Sequence, residues 1–279
     1  MIRSDRSTTG SNLGTGRPKD QAHGLRQMFA ARVIRFVPVV ANPGAACGGV
    51  VLERLCAAYA GFGLSTLVVD ASDQARPPSE LADFDLSEGI EVLSPQVRYM
   101  PARGLPLRHV DARGSCATLL DALADASPQS DVVLVHASAS ELARIFAQRA
   151  RQSNLRPLLF SNDQAEGLTD AYSALKILVQ RGHWMAYDLV VCASQRSTQA
   201  DEIARRLGQC ADNFLGAAQR RSLRLDPHES AVKDPSPEFQ ELAAGLLQSA
   251  WAQTLGDTAF DHLVSPGAAL PSRVTPVLN

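Results

Sequence analysis

The first stretch whose residue types could handle charge is the turn Ala41-Asn42-Pro43-Gly44-Ala45-Ala46-Cys47-Gly48-Gly49, between an apolar run and a helical pattern. Backbone N–H groups in a glycine-bearing turn at a helix start are suited to wrapping phosphate. That chemistry also needs a lysine against the phosphate charge and a Ser or Thr for Mg²⁺. The turn has neither, and no lysine occurs between Lys19 and Lys176. Pro43 removes a backbone donor, and Cys47 puts a side chain where the wrap needs glycine. Each charge-assisted hydrogen bond is worth ~1.5–3 kcal/mol, so the missing lysine alone predicts weak or lost phosphate binding. No G-x-G-x-x-G occurs here to support a dinucleotide site instead. A tight structural turn is the plain reading, with weak anion binding at the helix start as the alternative.

A second constellation joins His136, Cys192 and Cys47, which the strand pattern places at strand ends around one cleft. Cysteine with histidine permits metal binding or thiol catalysis, and a helix start lowers a thiol pKa. Small buried residues filling an emptied site explain the same three positions more simply. The five cysteines, Cys47, Cys56, Cys116, Cys192 and Cys210, are odd in number and show no C-x-x-C spacing. They predict neither a disulfide framework nor a metal site, and a reducing cytosol fits them.

These residues need elements to position them. Apolar runs at 33–40, 66–69, 131–135, 156–160 and 187–192, with a short one at 221–225, read as strands. Helical patterns lie between them at about 50–59, 116–126, 140–151, 166–180 and 198–211, and a last helix is expected over 237–254. The stretch from about 71 to 115 is less regular, with apolar residues at 97–100 and 107–110. Uninterrupted apolar strands alternating with helices predict an α/β fold, a mainly parallel sheet covered on both faces. The expected domain is 32–255, with flexible tails at 1–19 and 256–279 and a short amphipathic helix over 20–31. Phe239, Leu242, Leu246, Leu247 and Trp251 read as one stripe of the last helix. Its polar side carries Glu238 and Glu241 without a cation, so docking on the sheet is expected rather than membrane binding. His183-Trp184 reads as packing, and the pairs Arg205-Arg206 and Arg220-Arg221 as solvated faces.

The bulk numbers exclude several classes. A chain of 279 residues with Lys+Arg 27 against Asp+Glu 29 has no broad electrostatic grip on nucleic acid. No run approaches the ~18–20 apolar residues of a membrane span, and the first residues lack the apolar core of a signal peptide. A cytoplasmic protein without stable membrane insertion is expected.

Asp20-Gln21-Ala22-x-Gly24-Leu25-Arg26 resembles the N-terminal motif of the MinD/ParA-like regulators of flagellar number, the FlhG family. Leu168-Thr169-Asp170-Ala171-Tyr172 is similar to that family's L-T-D-A-Y helix, and Leu67 to Ser72 to its D-A-D strand end. Phe214-Leu215-Gly216 sits where members often carry a similar turn, and the likeness runs over roughly residues 20–250. The resemblance implies a P-loop NTPase fold of the deviant Walker A class. It also implies what has been lost. Pro43 stands at the signature lysine that crosses an ATP-sandwiched dimer, Gly48 at the phosphate-loop lysine and Gly49 at the Mg²⁺-binding Thr. Ser72 replaces the second Asp of D-A-D, leaving Asp70. His136 takes the Walker-B aspartate's place, and Cys192 that of the asparagine that reads adenine. Asn42, Pro43, Gly44, Cys47, Gly48, Gly49 and Asp70 then form a degenerate phosphate site, weak or lost, with no catalytic residue, no cofactor and no metal. The implied function is a pseudo-ATPase regulator of flagellar assembly that does not dimerise on ATP. In relatives the N-terminal helix engages a signal-recognition-particle-type GTPase, FlhF, so Asp20, Gln21, Ala22, Leu25, Arg26 and Phe29 become partner-binding candidates. The alternative is a MinD/ParA-like ATPase with an altered nucleotide site, acting in partitioning or cell-division placement.

Overall fold

The computed structural model describes residues 32–151, 153–229 and 233–255. The tails and the 20–31 helix expected from sequence lie outside the described residues. The strands are β1 (Arg32–Val40), β2 (Thr66–Asp70), β3 (Glu91–Ser94), β4 (Val97–Pro101), β5 (Val132–Ala137), β6 (Leu158–Asn162), β7 (Ala186–Cys192), β8 (Ala218–Leu225) and β9 (Trp251–Leu255). The longer helices are α1 (Gly48–Gly61), α2 (Thr118–Ala126), α3 (Ala139–Ala150), α4 (Ala165–Ile177), α5 (Ala200–Leu215) and α6 (Pro237–Ser249).

The sheet runs β3-β4-β2-β5-β1-β6-β7-β8, with β9 also paired to β1. Pairings from β4 through β8 along this path are parallel, and β3 pairs antiparallel with β4. The alternation of β1 explains why both faces are covered. Ile34 and Phe36 enter one core with Leu120, Phe146, Leu175 and Leu207, from α2 to α5. Val37 and Val39 enter the other with Leu55, Leu242 and Leu246, from α1 and α6. Every residue of β5 is buried, as a central parallel strand requires. From β1 the chain crosses beyond β5 to β2, whereas β6 returns on the other side of β1. The loop after β1 therefore sits at the switch point, where open α/β sheets place ligands.

Three sequence expectations differ from the structure. The irregular stretch holds the β3–β4 hairpin, which was hidden because its edge strand exposes apolar residues (Val92 is 71% exposed). The last helix ends at Ser249, and Ala250 is extended (ψ 149°). Trp251 thus leaves the helical stripe and crosses to the other core, against Phe36 at 5.7 Å between ring centroids and under the Arg149 guanidinium at 4.2 Å. An aromatic residue four positions after Leu247 fits a helix in sequence, but its burial lies on the opposite face. The third difference is a disulfide between Cys47 and Cys192, contrary to the unpaired cysteines expected. Pairing across 145 residues leaves no trace in local spacing.

Candidate functional site: a closed phosphate loop

Strand register sets the floor of the site. Asp70 on β2 and Val39 on β1 are both level with His136 on β5, and Asn162 on β6 is level with Cys192 on β7. These strand ends form the carboxyl edge of the sheet, and the Ala41–Cys47 turn lies over it. His136 is held in place by its neighbour helix. Ser138 and Glu141 form a capping box that starts α3 directly after β5.

The turn satisfies its own polar groups. The Asn42 amide donates to the Phe160 carbonyl (2.8 Å) and the Gly167 carbonyl (3.0 Å), while its oxygen accepts from Gly44 N (3.0 Å). Asn162 donates to the Gly44 carbonyl (2.8 Å). Gly44 lies tight against α4: a Cβ there would sit 2.6 Å from an Asp170 carboxylate oxygen. Gly167 is tighter still, because a Cβ would come within 2.2 Å of Asn162 Oδ1 and 3.0 Å of its backbone nitrogen. The Cys47–Cys192 disulfide (Cα–Cα 6.5 Å) ties the far end of the turn to β7. Of the turn's backbone N–H groups, those of Ala41, Gly44 and Ala45 are bonded to Ala137 O, Asn42 Oδ1 and Asn42 O, and the helix that starts at Gly48 has no side-chain cap.

The direction a side chain would take from Gly48 is already filled. A Cβ at this position would lie 3.1 Å from Phe160 Cζ and 3.5 Å from both His136 Cε1 and Nε2. Phe160 and His136 pack at 6.0 Å between ring centroids. At Gly49 the opposite holds, with open space around a would-be Cβ. Pro43 is exposed.

Asp70 is the one carboxylate among the residues predicted for the phosphate site. Its Oδ1 accepts from His136 Nδ1 (2.9 Å) and Ser72 N (3.1 Å), and Tyr99 OH donates to Oδ2 at 3.3 Å. Burial pushes its pKa up, but the His136 bond and charge with the Ser72 hydrogen bonds outweigh that, leaving it below the usual range. Tyr99 is pushed up to about 12, by burial and then by Asp70, so it stays a donor. His136 is 6% exposed, and its Nε2 has no hydrogen-bond partner among the described residues.

The structure thus gathers Asn42, Gly44, Cys47, Gly48, Gly49 and Asp70 at one edge, with Pro43 on the turn's outer side. It also joins Cys47, His136 and Cys192, but both thiols are consumed in the disulfide, which removes the nucleophile that thiol chemistry needs. Among the described residues, no group of three or more His, Cys, Asp or Glu could hold a metal ion. Asp20, Gln21, Ala22, Leu25, Arg26 and Phe29 lie outside the described residues. Sequence reasoning missed Phe160, Asn162 and Gly167. The one available signal was the L-T-D-A-Y-like helix, whose Asp170 meets Gly44. Of the remaining readings, Trp184 is 1% exposed, packed on Phe146, while Arg205 and Arg206 pair with Glu202 on an exposed face.

No protein-family model matches the chain, and no curated protein matches it in sequence. Solved structures do. Cobyrinic acid a,c-diamide synthase from Mycobacterium smegmatis, with bound ADP and magnesium, matches at TM-score 0.53 and 16% identity, over 77% of this chain and 94% of that one. A plasmid partition protein from Borrelia burgdorferi bound to AMPPNP matches at TM-score 0.50 and 8% identity, over 77% and 96%. A variant McdA from Cyanothece in complex with ATP matches at 0.50 and 12%, over 77% and 96%. Identities this low establish the fold. The chain shares the α/β fold of these three nucleotide-bound proteins. Among the described residues no helix is long and apolar enough to cross a membrane.

Proposed function

We propose that this chain is a non-catalytic pseudo-ATPase that regulates flagellar assembly or number in the manner of FlhG, through protein–protein contacts. The observation that carries the silent half is Gly48, whose side-chain direction is occupied by Phe160 and His136. A phosphate-loop lysine there would need the Phe160 ring to give by a few tenths of an ångström. Without a lysine or a Walker-B carboxylate, nothing stabilises charge on a transferring phosphoryl group. Steady-state phosphate release with Mg²⁺ and ATP should therefore stay at background. A turnover that vanishes in Asp70→Ala would contradict this.

The flagellar half rests on the resemblance at Asp20 to Arg26 and Leu168 to Tyr172. The proposed partner is a signal-recognition-particle-type GTPase like FlhF, met by Asp20, Gln21, Ala22, Leu25, Arg26 and Phe29. A short amphipathic segment gains from laying its apolar side chains in a partner groove. A pull-down with GTPase assay should show binding and stimulation by the intact chain and loss of both in a Leu25→Asp, Phe29→Asp double variant. Equal behaviour of the two, or none by either, would remove the partner assignment. Cytoplasmic placement belongs to this proposal, and the Cys47–Cys192 bond fits it least, since cytosolic thiols are kept reduced.

A second reading, an ATPase with an altered site acting in partitioning, is favoured by the fold shared with the nucleotide-bound neighbours and by the open space at Gly49. It predicts ATP-dependent doubling of mass in light scattering. The first reading predicts none, because Pro43 cannot reach across a dimer.

A further inference from the structure

Beside the closed loop, on the α1 face of the sheet, lies a cavity of about 550 Å³. Helix α1 forms one wall, β2 and β4 the floor, and the edge strand β3 the far side, with Leu52, Val68, Leu93 and Val97 giving it an apolar lining. Such a volume falls within the ~300–1,000 Å³ of small-molecule sites. Asp70 and Tyr99 line it at the carboxyl edge of the sheet beside Gly49, and Ser94, level with Val97, lines its other end. Glu53, one turn along α1, adds a second carboxylate, while no lysine or arginine lines the cavity.

The charges decide which ligand fits. The start of α1 contributes roughly half a positive unit, against the Glu53 carboxylate and an Asp70 carboxylate that His136 pairs at Oδ1 only. Asp70 Oδ1 is taken up by His136 and Ser72 N, whereas Oδ2 has only the long 3.3 Å bond from Tyr99. Cys56, also in the wall, is pushed up to about 12 by burial and then by Glu53, so it is a neutral thiol. We propose that this cavity binds a small amphipathic amine, its ammonium group on Asp70 Oδ2 and its aryl or branched-alkyl body along Leu52, Val68 and Val97. Asp70 then serves as the counter-ion of an organic cation, a role that does not depend on the phosphate loop being silent.

Isothermal titration of the full chain with phenylbutylamine tests this, with phenylbutanol and phenylvalerate as the neutral and anionic counterparts. The amine should bind about tenfold or more tighter than the alcohol, since its hydrogen bond to Asp70 is charge-assisted, and the carboxylate should not bind. Asp70→Asn should bring the amine to the affinity of the alcohol. Ala57→Phe, which fills the cavity from a half-buried site on α1, should abolish binding of every probe. Circular dichroism checks that each variant folds, and the probe series with Ala57→Phe decides the matter if Asp70→Asn does not. Equal affinity for amine and alcohol, binding that survives Ala57→Phe, or no saturable amine binding would each overturn the proposal. That last result holds whether the cavity is open or covered by a second copy of the chain.

Discussion

Reducing the Cys47–Cys192 disulfide should lower the melting temperature of this protein by on the order of 10 °C. The bond closes a loop of 145 residues in sequence separation. Chain entropy alone assigns such a loop about 5 kcal/mol, and removal of native disulfides typically costs ~2–5 kcal/mol. For a domain of this size each kcal/mol moves the melting temperature by roughly 2–4 °C. Thermal melts with and without a dithiol reductant measure the effect, and a Cys47→Ala, Cys192→Ala double variant should match the reduced protein. Alkylation of the unfolded, unreduced chain should label Cys56, Cys116 and Cys210 and spare the other two. Full labelling of all five, or melts that ignore the reductant, would mean that hydrogen bonds alone hold the turn.

Replacing Arg156 by methionine should cost about 3 kcal/mol at neutral pH. Asp188 on β7 is fully buried, with Arg156 Nε at 3.2 Å from Oδ2. Arg156 also donates to the Gly245 carbonyl (2.9 Å), joining the sheet to α6. Removing one partner of a buried pair typically costs ~3–5 kcal/mol, because the other charge stays buried. Arg220 and Arg221 lie near enough to act on Asp188, so the low end applies. The pH dependence has a definite sign. Burial holds the Asp188 pKa above its ordinary value, with the arginines pulling it down. A raised folded pKa gives stability that is present below the unfolded value and lost as the pH rises through the folded one. Without Arg156 that pKa rises further, so the penalty is largest near neutrality and narrows towards about pH 4. Denaturant melts across that range measure it, and Asp188→Asn in the same background should recover most of the loss. A penalty independent of pH would show that packing of the arginine stem matters and the charge does not.

How much was legible in the sequence follows from what local pattern can carry. Strands β1, β2, β5, β6 and β7 are buried apolar runs, and their alternation with helices points to the parallel sheet, whereas the strand order that makes the switch point is seen only in the structure. The turn at 41–49 was legible for the same reason, being the first loop at the ligand edge. What stayed hidden depends on partners distant in sequence. Phe160 fills the space at Gly48 only because β6 returns beside β1. Asn162 and Gly167 have no distinguishing local spacing, yet they seat α4 on the turn. The β3–β4 hairpin lacked alternation because an edge strand exposes apolar side chains. Trp251 imitated a helical position and belongs to a strand.

A titration of the full chain with Mg²⁺ and ATP, for the native chain and for Gly48→Lys, separates a turn closed to phosphate from an open one. Because a side chain at position 48 starts against the Phe160 ring, 3.1 Å from Cβ, with His136 in contact at 3.5 Å, restoring the lysine should not restore binding. No saturable heat is expected from either protein, and Gly48→Lys should melt lower than the native chain as its side chain is forced against the Phe160 ring. Saturable binding of ATP by the native chain, or a gain of binding in Gly48→Lys, would contradict the account.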